Sequence, residues 1–156
     1  MITYFIDSFT DTPFKGNPAA VCLPDRELSS QRMQQVAAEI GFSETAFIRP
    51  LTNDRFSIRF FTPKQEISLC GHATLASAKV VFGSTGLLKV VFVNHQQIDL
   101  AAEKVNGKIT MTFPLYGTEP AMAPDALVLA LGISSVVDAR YNPENNILLL
   151  RIDSAA

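Results

Sequence analysis

What this sequence lacks narrows its possible functions first. Its 13 lysines and arginines and 15 aspartates and glutamates are mixed along 156 residues, with a net charge of −2. No basic cluster forms, so the positive patch a nucleic-acid binder turns toward phosphates is missing and nucleic acid is not an expected partner. The longest apolar stretches, such as Leu87–Val93, contain a lysine. They fall far short of the roughly 20 residues a membrane helix needs, so no membrane partner is expected. The first residues, Met1–Asp7, have neither the basic start nor the small-residue cleavage site of a secretory leader. Cysteines number only two, Cys22 and Cys70. With 47% hydrophobic residues a core can be built without a disulfide staple. Free thiols suit a reducing compartment, which makes the cytoplasm the expected location.

Cofactor signatures are missing too. No Cys-x-x-Cys is present, the two histidines His72 and His95 lack helical spacing, and neither a phosphate-binding glycine loop nor a dinucleotide fingerprint occurs. Any catalysis is therefore expected to need no metal and no cofactor.

What is present is a folded chain long enough for one domain, or one domain and the beginning of another. Residues 2–9 and Ala19–Leu23 read as strands around a turn at Phe14-Lys15-Gly16-Asn17-Pro18, where Gly16 and Asn17 tolerate positive φ. Ser29 is set to cap a first helix, with Leu28 stapled onto Met33. Met33, Val36, Ala37 and Ile40 form its single apolar face, and Gly41 stops it. Strands are expected at Thr45–Arg49 and Phe56–Phe61.

A second helix, Gly71–Phe82, is apolar nearly all round, so other structure must enclose it. Gly83 and Gly86 are expected to end it. Leu88–Val93, Ile98–Glu103 and Lys108–Phe113 read as three further strands, and Asn106-Gly107 is the strongest hairpin signal in the chain. The resulting expectation is an α+β fold, a curved and mostly antiparallel sheet wrapped around a central apolar helix. After Pro114 follow a loop, a short helix over Ala126–Leu131 and a hairpin, Val136–Tyr141 with Ile147–Ile152, around Pro143-Glu144-Asn145-Asn146. Such an apolar last strand is expected to pack back on the first part or to pair with a partner chain.

Two places could carry chemistry. Glu44 sits between the first helix and an apolar strand. Pressed against Phe42 and Phe47 it would be partly desolvated, with its pKa raised toward neutrality, where a carboxyl can take and give a proton. The alternative is a solvent-facing glutamate at a strand entry. Cys70-Gly71-His72-Ala73 opens the central helix, where unpaired amides and partial positive charge favour anions. There Cys70 is either a thiolate base with a lowered pKa or a small buried hydrophobe. His72 is either a ligand-binding imidazole or a polar cap.

Several segments together carry a resemblance. Asp7-Ser8-Phe9-Thr10 with Pro13-Phe14-Lys15-Gly16-Asn17-Pro18-Ala19-Ala20-Val21-Cys22 comes first, then Gly41-Phe42-Ser43-Glu44-Thr45-Ala46-Phe47. Arg59-Phe60-Phe61-Thr62-Pro63 and Leu69-Cys70-Gly71-His72-Ala73-Thr74-Leu75-Ala76 follow in the same order. The chain resembles the phenazine-biosynthesis isomerase-like family, which has the diaminopimelate-epimerase-like fold. The resemblance implies two similar halves, each a curved sheet around a central helix, with the active site between them. It implies a cofactor-free isomerase or epimerase of a small carboxylate-bearing metabolite. Glu44 would be the general acid/base, and Asn17, Gly71, His72 and Ala73 would bind substrate. Cys70 lies near the place of a catalytic cysteine in racemase relatives.

Family members are close to twice this length. Residues 1–116 correspond to a first half, and 117–156 to the beginning of a second, truncated one that lacks the other wall of the cleft. Three expectations follow: a fragment of a longer protein, a homodimer whose partner restores the cleft, or a non-catalytic oligomerising or ligand-binding module.

Overall fold

The computed structural model describes residues 1–113, 115–144 and 146–153. They divide into two compact units, Met1–Phe113 and Pro114–Ala156. In the first, β1 (Ile2–Ser8) and β2 (Asn17–Leu23) form a hairpin, followed by α1 (Ser30–Ile40) and the strands β3 (Thr45–Pro50) and β4 (Arg55–Phe61). A two-residue β5 (Glu66–Ile67) precedes α2 (Gly71–Thr85), and β6 (Lys89–Val93), β7 (Asp99–Val105) and β8 (Lys108–Thr112) complete the unit. The strands form one sheet in the order β1-β2-β3-β4-β6-β7-β8, with β5 against one end of β4. Only β2–β3 and β4–β6 run parallel, and α1 and α2 are the crossovers that make those two pairings possible. The mixed α+β fold with a mostly antiparallel curved sheet is the one expected.

The sheet curls around α2. That helix packs against β1 and β2 near one edge of the sheet and β7 and β8 at the other, which a flat sheet could not allow. Its buried residues, Ala73, Thr74, Ala76, Ser77, Ala78, Val80, Val81 and Phe82, lie around its circumference. The small ones admit strands on every side. The buried hydroxyls are satisfied locally, since Thr74 Oγ1 donates to the Cys70 carbonyl and Ser77 Oγ to that of Ala73, both at 2.7 Å. Around α2 the core takes Ala19 and Val21 from β2, Ala46 and Ile48 from β3, Ile58 and Phe60 from β4, and Phe92 and Leu100 from β6 and β7. Alternate residues face the other way. Cys22, Phe47 and Phe61 meet Met33 and Ala37 of α1, with Leu28 packed alongside.

The end of α2 differs from expectation. Gly83 does not end α2. Ser84 and Thr85 continue the helix with hydroxyls donated to the Val80 and Val81 carbonyls at 2.9 and 2.7 Å, and Gly86, at φ +75°, supplies the left-handed stop. The short β5 escapes sequence reading because two residues hold no period. The Asn106-Gly107 turn has φ of +50° and +80°, as a two-residue hairpin loop requires.

The second unit has β9 (Glu119–Pro120), α3 (Asp125–Ala130), β10 (Asp138–Asn142) and β11 (Ile147–Arg151), with sheet order β11-β10-β9. The expected hairpin is formed, with Tyr141 opposite Leu148. Asn145 of its turn lies outside the described residues. Along β11, Leu148 and Leu150 are half-buried while Ile147 and Leu149 are exposed. Among the described residues, no helix is long and apolar enough to cross a membrane.

Candidate active site

At the N-terminus of α2, buried polar atoms of Glu44 and His72 lack aligned hydrogen bonds among the described residues. Cys70 is its cap residue in backbone conformation, φ −145° and ψ 114°, but its side chain caps nothing. The first bond of the helical ladder runs from the Thr74 amide to the Cys70 carbonyl at 3.0 Å. The amides of Gly71, His72 and Ala73 precede it, as the opening turn of any helix leaves them.

Glu44 reaches this helix end from the strand side. Gly41 stops α1 at φ +75°, and the Glu44 carbonyl accepts the Ala20 amide at 3.4 Å, which docks the strand entry against β2. Phe42 is held by an edge-on contact with Phe5 at 5.5 Å. By the period of β3, Glu44 shares its face with Ala46 and Ile48, the face that meets α2. The expectation that Phe47 presses on the carboxylate is therefore corrected. Phe47 belongs to the opposite face, under α1.

Glu44 and His72 meet. Glu44 Oε2 lies 3.1 Å from His72 Nε2, and the two side chains are 19% and 10% exposed. Distance and alignment disagree here. The separation suits an ion pair, yet neither atom has an aligned hydrogen-bond partner among the described residues. On the other side of the ring, His72 Nδ1 is 3.4 Å from Cys70 Sγ. The solvent-facing reading of Glu44 and the capping reading of His72 do not describe this geometry.

Cys70 also departs from expectation. It is 7% exposed, and burial pushes its thiol up to about 11. The backbone amides of Ala73 and His72 pull the other way, too weakly to win, and the charge of Glu44 adds to the upward shift. The lowered pKa expected of a thiolate base at a helix N-terminus is reversed, because desolvation of the sulfur outweighs the helix end. Near neutral pH this sulfur is a protonated thiol.

Of the remaining candidates, Gly71 and Ala73 form the first turn of α2, Ala73 fully buried. A Cβ on Gly71 would sit 3.8 Å from the ring of Phe113, an ordinary contact, so space there does not demand glycine. Asn17 is exposed and stands opposite Ser8 in the β1–β2 register. Asn17, Ala19 and Val21 alternate on the sheet face turned to α2.

Sequence reasoning missed Ser8. Its hydroxyl donates to the His72 carbonyl at 2.8 Å, and the residue is 2% exposed. It pins the first turn of α2 to the end of β1. The signal was available: Ile6 packs in the α2 core, and Ser8 is the next residue on that face. Thr45 Oγ1 is also buried without a hydrogen-bond partner among the described residues. The strand period puts it on the α1 face with Phe47, apart from Glu44.

Comparison with known proteins gives consistent results. The family model described as phenazine biosynthesis-like protein matches residues 6–132. The mouse phenazine biosynthesis-like domain-containing protein 2 is 40% identical over 97% of this chain and 57% of its own length. An uncharacterized isomerase of Pseudomonas aeruginosa is 41% identical over 83% of this chain and 50% of its own. A phenazine biosynthesis protein of Enterococcus faecalis has a TM-score of 0.81 at 33% identity, over 97% of this chain and 57% of its own. The chain thus spans a little over half the length of the relatives it matches.

Proposed function

The chain belongs to the phenazine biosynthesis-like protein family, and we propose that it carries the acid/base wall of a cofactor-independent isomerase or epimerase acting on a small carboxylate-bearing metabolite. The observation that supports this most is the sheltered, unaligned contact of Glu44 Oε2 with His72 Nε2 at the opening turn of α2. In this reading the Glu44 carboxylate removes a proton from a carbon beside an electron-withdrawing group. The C–H electrons move into an enolate-like anion, and the same carboxyl returns the proton at another position or from another face. The amides of Gly71, His72 and Ala73 face the developing negative charge, where fixed dipoles in a water-poor site are worth most. His72 holds the carboxyl and the substrate in register, and Asn17 takes a polar group at the mouth. Cys70, protonated at neutral pH, hydrogen-bonds with His72 Nδ1 and does not act as the base. A relative named as an isomerase supports the same reaction class.

A cleft needs a second wall. In this proposal a second copy of the chain, related by a two-fold axis, supplies it and completes the site. The deciding experiment is incubation in deuterated water with a panel of amino acids and cyclic hydroxy acids. Exchange at C–H that disappears in Glu44→Gln supports the enzyme. No exchange with any compound, together with tight binding of one, favours a non-catalytic ligand-binding module.

A further inference from the structure

We propose that Glu44, Cys70 and His72 form a binding site for a single thiophilic divalent cation of the zinc class. Each offers one donor atom, a carboxylate oxygen, a sulfur and a ring nitrogen, and the three lie within 4.8 Å of one another. Zinc takes sulfur at about 2.3 Å and nitrogen or oxygen at about 2.0–2.2 Å in a tetrahedron. Those bond lengths place two ligands of one ion about 3.3–3.6 Å apart. Cys70 Sγ is 3.4 Å from His72 Nδ1 and Glu44 Oε2 is 3.1 Å from Nε2 on the other side of the ring, so gathering all three donors on one ion takes a side-chain rotation. The ion sits on Nε2 beside the Glu44 carboxylate, and a turn of the ring with a rotation of Cys70 brings the sulfur to the same side.

The hydrogen-bonding state of two of these donors also points to a ligand. Among the described residues, Glu44 Oε2 and His72 Nε2 are buried without an aligned hydrogen bond, and the imidazole is 10% exposed. Buried polar atoms seldom go unmatched, and an ion between these residues would satisfy them. The other histidine makes a useful contrast. His95 Nδ1 is 3.5 Å from Glu66 Oε1, but Arg59 already holds both Glu66 oxygens at 2.8 and 2.6 Å, and no thiol joins them. Among the described residues, only the α2 N-terminus brings three such donors together.

On binding, the Cys70 thiol loses its proton to solvent and ligates as a thiolate. Three protein donors leave a fourth position open to water. Metal binding does not depend on the isomerase reading. That the ion would then inhibit turnover, by tying up Glu44, does rest on it.

The test is titration of cobalt(II) and zinc(II) into the full 156-residue chain, reduced and free of chelator. We expect one equivalent of cobalt to give a thiolate-to-metal charge-transfer band that zinc abolishes. Cys70→Ser should remove the band, and Glu44→Gln and His72→Asn should each weaken zinc at least about tenfold. Cys22→Ala and His95→Gln should change neither. X-ray absorption of the zinc-loaded wild-type chain, which needs no variant to fold, should show one sulfur among nitrogen and oxygen ligands. The proposal is overturned if neither ion binds below millimolar concentration, if bound metal shows no sulfur ligand, or if the band survives in Cys70→Ser. A zinc site found in a chain that exchanges no C–H proton would confirm this site and count only against the isomerase.

Discussion

Glu44 Oε2 stands 3.1 Å from His72 Nε2, one side chain from the entry of a strand and the other from the first turn of the enclosed helix. Among the described residues neither atom finds an aligned partner, although both are buried. A protein that left such a pair for stability alone would forgo hydrogen bonds typically worth about 1 kcal/mol each. Structural duty therefore explains the pair less well than a ligand does. Replacing Glu44 by Gln keeps the shape and removes the proton carrier. C–H exchange should fall by a factor on the order of 10² to 10⁴ while circular dichroism stays unchanged, and exchange at the wild-type rate would remove Glu44 from the mechanism.

Ser8→Ala removes the hydrogen bond to the His72 carbonyl without leaving a cavity larger than an oxygen. We expect a stability loss of about 0.5–1.5 kcal/mol in denaturant titration. Because the bond fixes the turn that carries the imidazole, exchange should slow as well. An unchanged rate at the lower stability would restrict Ser8 to a structural part.

Gly16→Ala tests a close approach. A Cβ there would overlap the Ser8 carbonyl oxygen and lie 3.0 Å from Asp7 Cβ. Backbone cannot yield as a side-chain tip can, so the end of the β1–β2 hairpin must shift. A loss of roughly 1–3 kcal/mol is expected, with the hairpin end losing hydrogen-exchange protection first. Wild-type stability would contradict the tight packing.

Alkaline pH should expose Cys70. Its thiol is raised from 9.0 to about 11 in the folded chain. Above pH 9 the unfolded chain gives up this proton while the folded chain keeps it, so stability is full below that value and declines as pH rises through the folded pKa. The decline belonging to this group should be on the order of 1–3 kcal/mol and vanish in Cys70→Ala. Cys22, also raised by burial, contributes a similar trend in both proteins. Identical alkaline slopes with and without the Cys70 thiol would refute the assignment.

Sedimentation at micromolar concentration checks the proposed completion of the site. The expected mass is twice the 17.0 kDa of one chain. A monomer that still exchanged C–H protons would show that one copy suffices.

Much of this was written in local order. Met33, Val36, Ala37 and Ile40 announce α1, Asn106-Gly107 its hairpin, and the unbroken apolar girth of α2 its enclosure, because each depends only on neighbours along the chain. Those signals determine that a sheet must surround one helix, and the motif residues nominate Glu44 and His72. Only the tertiary structure decided that Glu44 looks toward α2 and Phe47 away from it, since a face has no meaning until both helices have chosen sides. It also reversed the expected acidity of Cys70, because burial is a property of everything packed around the sulfur and outweighs the helix end beside it. The seat of Ser8 beneath the His72 carbonyl arises the same way, from the curl that brings the sheet's first strand to the helix it encloses.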